Sequence, residues 1–529
     1  MFSSKLSSGL FILFFLLLTF SSISNASAFF VIPTTSPQAR RNIVNSAYNK
    51  DKDELLVVWK DKRNDPGNLW DNITDYGFKD HADIYGRIVK PNGTLVSGEF
   101  PIASKDVDEQ DPFVIYNSTR KEFVVFIQRM DDLVVTDDNR LWEGYCYNIG
   151  AYRISTTGTV LGNELTVSDA TGCQWYPRAD YNPDTNTLLV AYHDFRNWAN
   201  LEKAIYGRII GYDNSGNLQN IGDELFLTRD VSNSQQEAKN YQQYSSVVYN
   251  KIAHKYLVVW GDDRKNKYTG AHTHAYDLFG QFIDQNSNFV DPNKEIYSNS
   301  LNQHFPAVTF NPVNNEYLLS YLQDPASQTA DKNEIDTGIP YLLKFNTIDS
   351  PLPTDSAILL EQDTSYTTSR PSLACNNFNG NCLIVWVSLN RGGKIYGRFL
   401  NKNGSLSNIL DLSDNLPYSE DNPWVSFNEN PAAPSFSVSY GVLQSGTFGN
   451  VNLITVADNS NNISTPTPPQ PTLIKGWNKF LWNGFTEVAL PVSCSTYSYR
   501  ELDFWKGKVV GFGLPVKDSA LPPLLVLCK

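Results

Sequence analysis

The feature that most restricts the fold of this chain is a unit written several times over. "LLVVWKDKRN" at 55–64, "LLVAYHDFRN" at 188–197 and "YLVVWGDDRKN" at 256–266 share an apolar run, a closing aromatic and an acidic then basic tail. An Asn stands ahead of each run, and the anchor recurs at Asn49, Asn117, Asn182, Asn250, Asn311, Asn376 and Asn428, at intervals of 52 to 68 residues. A chain of seven such units folds by stacking them, because no single unit can bury its own apolar faces.

Each unit reads as four strands. The first ends in an aromatic and Asn ("SAYN", "VIYN", "ADYN", "VVYN", "VTFN"), and a short polar turn such as "PDTN" leads into the second. The third carries "DIYGRIV", "AIYGRII", "DLFGQFI" or "KIYGRFL"; a Gly/Asn turn then opens the fourth. The second strand is apolar at consecutive positions, so both faces of its sheet must be covered. Sheets packed face to face around an axis supply that cover, which predicts an all-β, seven-bladed β-propeller. Gly86, Gly207, Gly280 and Gly397 in the third strands mark either a close approach by a neighbouring backbone or ring, or a β-bulge.

The seventh unit supplies only three strands, "PWVSFN", "SFSVSY" and "VNLITVAD", before a Pro-rich stretch. Residues 29–32, "FFVI", precede the first unit as fourth strands precede every later one. This segment is expected to complete the last blade, since two unpaired edges would invite aggregation. The propeller then spans 29–458, followed by a Pro/Thr-rich linker at 459–472 and a small β-rich domain at 473–529. A domain of that size has a marginal core and gains from a disulfide.

The recurring "YLVVWxDxR…DIYGR…G" pattern resembles that of secreted bacterial β-propeller proteins over about 29–458. The resemblance implies architecture and no chemistry. The sialidase Asp-box, the Gly-Gly pairs of kelch blades and the Gly-His to Trp-Asp pattern of WD repeats are absent from the sequence, so no catalytic residue is carried over.

Residues 1–28 read as a signal peptide: Lys5, an apolar run from Leu10 to Phe20, and Ala26-Ser27-Ala28 as a cleavage site. That run is shorter than the roughly 20 residues that span a bilayer, and no later stretch qualifies, so no transmembrane span is expected in the mature chain. The protein is expected to be secreted or at the cell surface. Six cysteines in an exported chain predict disulfides, paired by proximity as Cys146 with Cys173, Cys375 with Cys382, and Cys494 with Cys528. A net charge of −13, without a Lys/Arg-rich run, argues against nucleic acid as a partner. Five Asn-x-Ser/Thr sequons follow the leader, at Asn72, Asn92, Asn117, Asn403 and Asn462, and Asn117 is also a repeat anchor.

Long loops single out one face. Connections between second and third strands (Lys60 to Ala82, Gln128 to Asn148) and between blades (Arg229 to Tyr244) lie on the same side, opposite the tight turns. Insertions on one face of a repeat fold mark a binding surface. Asp61, Asp194 and Asp262 with Arg63, Arg196 and Arg264 sit where that face begins. They read either as polar ligands around a central mouth or as inter-blade salt bridges and turn hydrogen bonds. Trp70, Trp142 and Trp198 lie within the loops, and an indole near Asp and Asn suits stacking on a sugar or anchoring a peptide.

No resident cofactor or metal is expected. The acidic loops suit Ca²⁺ by composition, but no calcium-loop motif occurs, and His272 and His274 lack an identifiable third ligand. The loops hold many carboxylates, among them Asp71, Asp75, Asp131, Asp132, Asp137 and Asp138, but spacing singles out no catalytic pair. Three functions fit: a binding or adhesion module for glycan or protein, a glycoside hydrolase with a carboxylate pair in the funnel, or a structural surface protein without a small ligand.

Overall fold

The computed structural model describes residues 28–34, 41–64, 82–130, 146–196, 203–228, 241–264, 276–324, 338–361, 371–388, 391–413, 419–443 and 449–458, with short strands between 476 and 528. The chain divides into two compact units, Met1–Thr467 and Pro468–Lys529, each described by itself.

The first unit is a seven-bladed propeller of four-stranded antiparallel sheets. Blade one comprises Arg41–Asn49, Glu54–Asp61, Asp83–Val89 and Phe100–Ala103; blade two, Glu109–Asn117, Glu122–Met130, Tyr147–Ser155 and Val160–Ser168. Blade three comprises Gln174–Asn182, Thr187–Asp194, Ala204–Tyr212 and Leu218–Phe226; blade four, Gln242–Asn250, Lys255–Asp262, Asp277–Asp284 and Phe289–Tyr297. Blade five comprises Gln303–Asn311, Glu316–Gln323, Ile339–Phe345 and Ile358–Leu359; blade six, Ser372–Cys375, Cys382–Ser388, Lys394–Leu400 and Leu410–Asp411. Blade seven takes Ser419–Asn428, Ser435–Leu443 and Gly449–Ala457 from the end of the propeller sequence and Ala28–Ile32 from its start. The register sets Phe29 opposite Ile454 and Val31 opposite Asn452, so the ring closes through its own ends, as the strand count requires. First strands of successive blades lie side by side around the axis, the seventh against the first.

The core sits between blades. Every residue of Glu54–Asp61 is buried, the outcome predicted by its unbroken apolar run. The repeat Asn closes the first hairpin: Asn182 Oδ1 accepts the backbone N–H of Asp184 at 2.9 Å, and Asn250 Oδ1 those of Ile252 and Ala253 at 2.8 and 2.9 Å. Its Nδ2 then ties one blade to the next, from Asn250 to the Tyr317 hydroxyl at 2.9 Å. A side chain that serves both a turn and an inter-blade bond explains why the repeat keeps it.

Third-strand glycines serve a close approach: at Gly86 and Gly280 the nearest neighbour is an aliphatic side chain of the fourth strand, and at Gly397 it is the backbone carbonyl of Ile384, 2.9 Å from where a Cβ would stand. A Cβ at Gly86 would stand 2.8 Å from Ile102 Cδ1, and one at Gly280 2.9 Å from Ile296 Cδ1. The pairing of third with fourth strand also shifts register beside Gly207 and Gly280, so the bulge reading holds there as well.

Two disulfides join the predicted partners. Cys146 and Cys173 link the loop before the third strand of blade two to the connection into blade three, with Cα atoms 4.6 Å apart. Cys375 and Cys382 face each other across the first hairpin of blade six, at the register that Tyr249 and Tyr256 hold in blade four. Both bonds fit an oxidising, extracytoplasmic compartment. Among the described residues no helix is long and apolar enough to cross a membrane.

In the second unit, Pro523–Cys528 pairs with Gly476–Leu481 and with Cys494–Tyr497, which sets the backbone of Cys494 opposite that of Cys528. The side chains of this pair, and residues 1–27 of the expected signal peptide, lie outside the described residues.

Candidate functional site

Seven first strands line the axis, and their free inner edges need partners. Neighbouring blades provide some of them: Asn45 Oδ1 accepts from Val114 N–H, Ser246 Oγ from Val308 N–H and Ser372 Oγ from Val425 N–H, each at 3.1 Å. Near its start each described first strand of full length also breaks register. The residue at the break takes a left-handed backbone in six blades: Ile43 (φ 52°), Asp111 (46°), Tyr176 (58°), Tyr244 (58°), Phe305 (51°) and Asn422 (47°). The corresponding position of blade six, Arg370, is outside the described residues. An extra residue in the left-handed region kinks the strand and re-aims its side chains, a device found beside functional sites.

These six residues line a cavity of about 350 Å³ on the axis, toward the long-loop end where first strands begin. The ring is lopsided. Blades three, four and five contribute Tyr176, Tyr244 and Phe305, with Tyr244 and Phe305 centroids 3.8 Å apart and Tyr176 and Tyr244 6.0 Å apart. Blades seven, one and two contribute Asn422, Ile43 and Asp111. His193 backs the aromatic arc, 5.1 Å from Tyr176 and 5.5 Å from Tyr244, and its Nε2 accepts the Tyr244 backbone N–H. That nitrogen is therefore committed and does not serve as a metal ligand.

Two residues further along each strand lies a second ring: Asn45, Phe113, Arg178, Ser246, Ala307, Ser372 and Trp424. Trp424 of blade seven meets Phe113 of blade two edge-on at 5.1 Å, past the intervening blade one. Arg178 lies over the Phe113 ring at 5.3 Å and pairs with Asp111 at 3.1 Å. These bulky groups fill one side of the axis, and the small side chains of blades four to six leave the other side open.

Asp180 lies deeper in the cavity wall. Its two carboxyl oxygens accept the backbone N–H groups of Tyr249 at 2.7 Å and Tyr181 at 2.8 Å. Burial raises its pKa to about 6, against the lowering effect of those two donors. A carboxyl whose pKa is raised to about 6 can act as acid or base, and the mutually tilted rings can bind the apolar face of a ligand.

Asp61, Asp194 and Asp262 each end a second strand and are almost wholly buried. Asp61 accepts the Trp59 indole N–H at 3.1 Å, and Asp262 that of Trp260 at 2.8 Å. Each carboxylate also receives the backbone N–H and the guanidinium of its own Arg, with Nη2 at 2.5 Å for Arg63, 2.6 Å for Arg196 and 2.5 Å for Arg264. Those guanidinium groups stack on Tyr85, Tyr206 and Phe279 of the third strand, at 3.7, 3.8 and 4.3 Å. They reach on to Glu99, Glu224 and Asn293 before or within the fourth. The salt bridges run within one blade and not between blades, and the bonds from the Arg backbone N–H groups are the turn hydrogen bonds of the same reading. They hold the long-loop edge of each sheet together, and none of the six lines the axial cavity.

Trp70, Trp142 and Trp198, and with them His81, His272 and His274, are outside the described residues. Among the described residues no group of three His, Cys, Asp or Glu could hold a metal ion. The axial ring itself was missed in the sequence. Its signal was there: Pro112, Pro177, Pro306, Pro371 and Pro423 each interrupt an otherwise strand-like segment, and Pro inside a strand marks a bulge or an edge.

No protein-family model matches the chain, and a search of curated proteins found no match. Solved structures similar to it include a protein of unknown function from Dyadobacter fermentans, 11% identical, with a TM-score of 0.47 over 82% of this chain and 98% of that one. Another is the alpha-L-arabinanase of Penicillium chrysogenum, 12% identical, with a TM-score of 0.42 over 71% and 98%. A third is the alpha-L-arabinofuranosidase of Fusarium graminearum, 12% identical, with a TM-score of 0.40 over 82% and 97%.

Proposed function

We propose that this chain is an exported binding or adhesion propeller that takes a glycan or protein ligand at the axial mouth of its long-loop face. The observation that carries the reading is the arc of Tyr176, Tyr244 and Phe305 along one side of a cavity of about 350 Å³, facing amide and carboxylate groups on the other. Rigid rings opposite polar groups suit a ligand with one apolar and one hydrogen-bonding face, as a sugar has. In this reading Trp70, Trp142 and Trp198 of the long loops also contact the ligand. The test is a glycan array and a panel of cell-surface proteins, followed by calorimetry with Tyr176→Ala and with the three tryptophans replaced by Ala. The reading expects at least a tenfold loss of affinity in either variant; unchanged binding in both would place the ligand elsewhere, and no ligand for the wild type would favour a structural surface protein.

Asp180 supports a second reading, a glycoside hydrolase. A carboxyl with a pKa of about 6 in a cavity wall is suited to proton transfer. The reading expects reducing sugar to be released with a pH limb near 6 and the activity to vanish in Asp180→Asn. Binding without turnover in wild type removes it.

A further inference from the structure

Two of the five sequons occupy matching places in the fold. Asn92-Gly93-Thr94 and Asn403-Gly404-Ser405 form the turn between third and fourth strands in blades one and six, the two blades that flank the closing blade. Both asparagines are exposed. Asn92 Oδ1 accepts the Thr94 backbone N–H at 3.1 Å; Asn403 Oδ1 accepts the Ser405 N–H at 3.0 Å and its hydroxyl at 2.7 Å. The side-chain oxygen is thus turned into the loop, and among the described residues no hydrogen bond engages either Nδ2. Gly93 and Gly404, at φ 79° and 85°, supply the left-handed residue that the turn requires.

Asn117 shows the opposite arrangement. It is wholly buried, its Nδ2 donates to Asn186 Oδ1 and to the Tyr212 hydroxyl, both at 2.9 Å, and its Oδ1 caps the hairpin through Thr119 and Arg120. A substituent on this nitrogen would displace both partners and open the junction between blades.

We infer that Asn92 and Asn403 are N-glycan acceptor sites and that Asn117, despite its sequon, is not one in the folded protein. The inference rests on the reading that the chain is exported. The donor is an oligosaccharide linked to a polyprenyl diphosphate. Nδ2 forms the bond to the anomeric carbon, the bond from that carbon to the diphosphate oxygen breaks, the diphosphate leaves with the electron pair, and the amide proton passes to a base of the transferase. A glycan at Asn92 lies beside the outermost strand Ala28–Ile32: the Gly93 turn packs against Phe30 of that strand, and Thr455 Oγ1 of its neighbour donates to Pro91 O beside Asn92. The Asn403 turn meets blade five instead, with Asn314 Nδ2 donating to Lys402 O at 3.1 Å.

The test expresses the full chain in a eukaryotic secretory host, once with its own first 28 residues and once with an established leader in their place. Peptides of the folded, secreted protein are deglycosylated enzymatically in heavy-oxygen water and read by mass spectrometry. The expected result is labelled Asp at 92 and 403, unmodified Asn117, and loss of one glycan each in Thr94→Ala and Ser405→Ala, with Thr94→Ser restoring occupancy. Secreted protein unmodified at Asn92 or Asn403, or occupied at Asn117, overturns the inference. If only the replaced leader delivers the chain, with both glycans attached, the sites stand and the export reading falls.

Discussion

Phe29 lies opposite Ile454, a cross-strand pair formed by residues from the two ends of the propeller sequence. Phe29 is buried in the cluster that holds Val438, Ile454 and Val456, and Ile32 in the next cluster with Leu55 and Val451. Truncating a buried Phe costs about 3–5 kcal/mol. Phe29→Ala should therefore lower the unfolding free energy by about 3 kcal/mol in a denaturant titration. Removing Ala28–Ile32 altogether uncovers the edge of Gly449–Ala457, and light scattering should detect self-association that the point variant lacks. A truncated chain that stays monomeric with an unchanged midpoint would mean that closure contributes nothing to stability.

Asp262 ties three groups at once: the Trp260 indole, the Arg264 backbone and the Arg264 guanidinium. Asp262→Ala leaves a buried N–H and a partly buried cation without their acceptor, a loss worth about 2–4 kcal/mol. The penalty should shrink by about 1 kcal/mol in a Trp260→Phe background, which lacks the indole donor; a double-mutant cycle reads that coupling directly. Asp61→Ala should behave likewise with Trp59, since the bond recurs there.

What could be read in the sequence and what could not divides along the repeat. The blades, the closing strand and two cysteine pairs were legible because each follows from something written more than once or visibly missing: the apolar run after every Asn, the absent fourth strand after Val456, the hairpin positions shared by Cys375 and Tyr249. The axial ring was not, because its members change from blade to blade. Ile43, Asp111, Tyr176, Tyr244, Phe305 and Asn422 share a backbone conformation and no chemistry, so the eye that follows repeats passes over them. Asp61 and its counterparts posed the reverse difficulty. A carboxylate repeated to bind its own Trp and Arg is spelled like one repeated to bind a ligand, and the bonds to the side chains of the same blade become visible only in the coordinates.

Ile43 is the one β-branched residue of that ring, held at φ 52° where Asn422 of blade seven sits at 47°. Left-handed backbone costs an L-residue about 1–2 kcal/mol and costs Asn less. Ile43→Asn should gain roughly 0.5–1 kcal/mol of stability, read as a higher denaturant midpoint at unchanged slope. A loss larger than 1 kcal/mol would show that Ile43 contributes more through packing in the axial cavity than the backbone strain takes away.

Glu109 begins the first strand of blade two, at the position held by Gln174 and Gln303 in blades three and five. Those amides donate to loop acceptors: Gln174 Nε2 to the carbonyls of Ala170 and Gly172, both at 3.0 Å, and Gln303 Nε2 to Asn299 Oδ1 at 2.6 Å and to Leu301 O. An ionised carboxylate has no proton to donate. Glu109 is wholly buried, its Oε1 accepts only the Lys105 N–H at 3.3 Å, and its Oε2 lacks a partner among the described residues. Burial raises its pKa from 4.5 to about 8, opposed by the Lys105 N–H and assisted by the charges of Asp83 and Glu164. Because the folded value exceeds the unfolded one, the native state holds the extra proton. The associated stability is complete below pH 4.5, falls as pH rises, and is gone above about pH 8. Each tenfold change in proton affinity is worth about 1.4 kcal/mol, so the loss is on the order of several kcal/mol. Glu109→Gln installs the donor that blades three and five use. The variant should match wild type near pH 5, exceed it at pH 9, and show a flatter dependence between them in chemical denaturation at stepped pH. Parallel curves for the two proteins across that range would place the Glu109 proton affinity at its ordinary value and remove the argument.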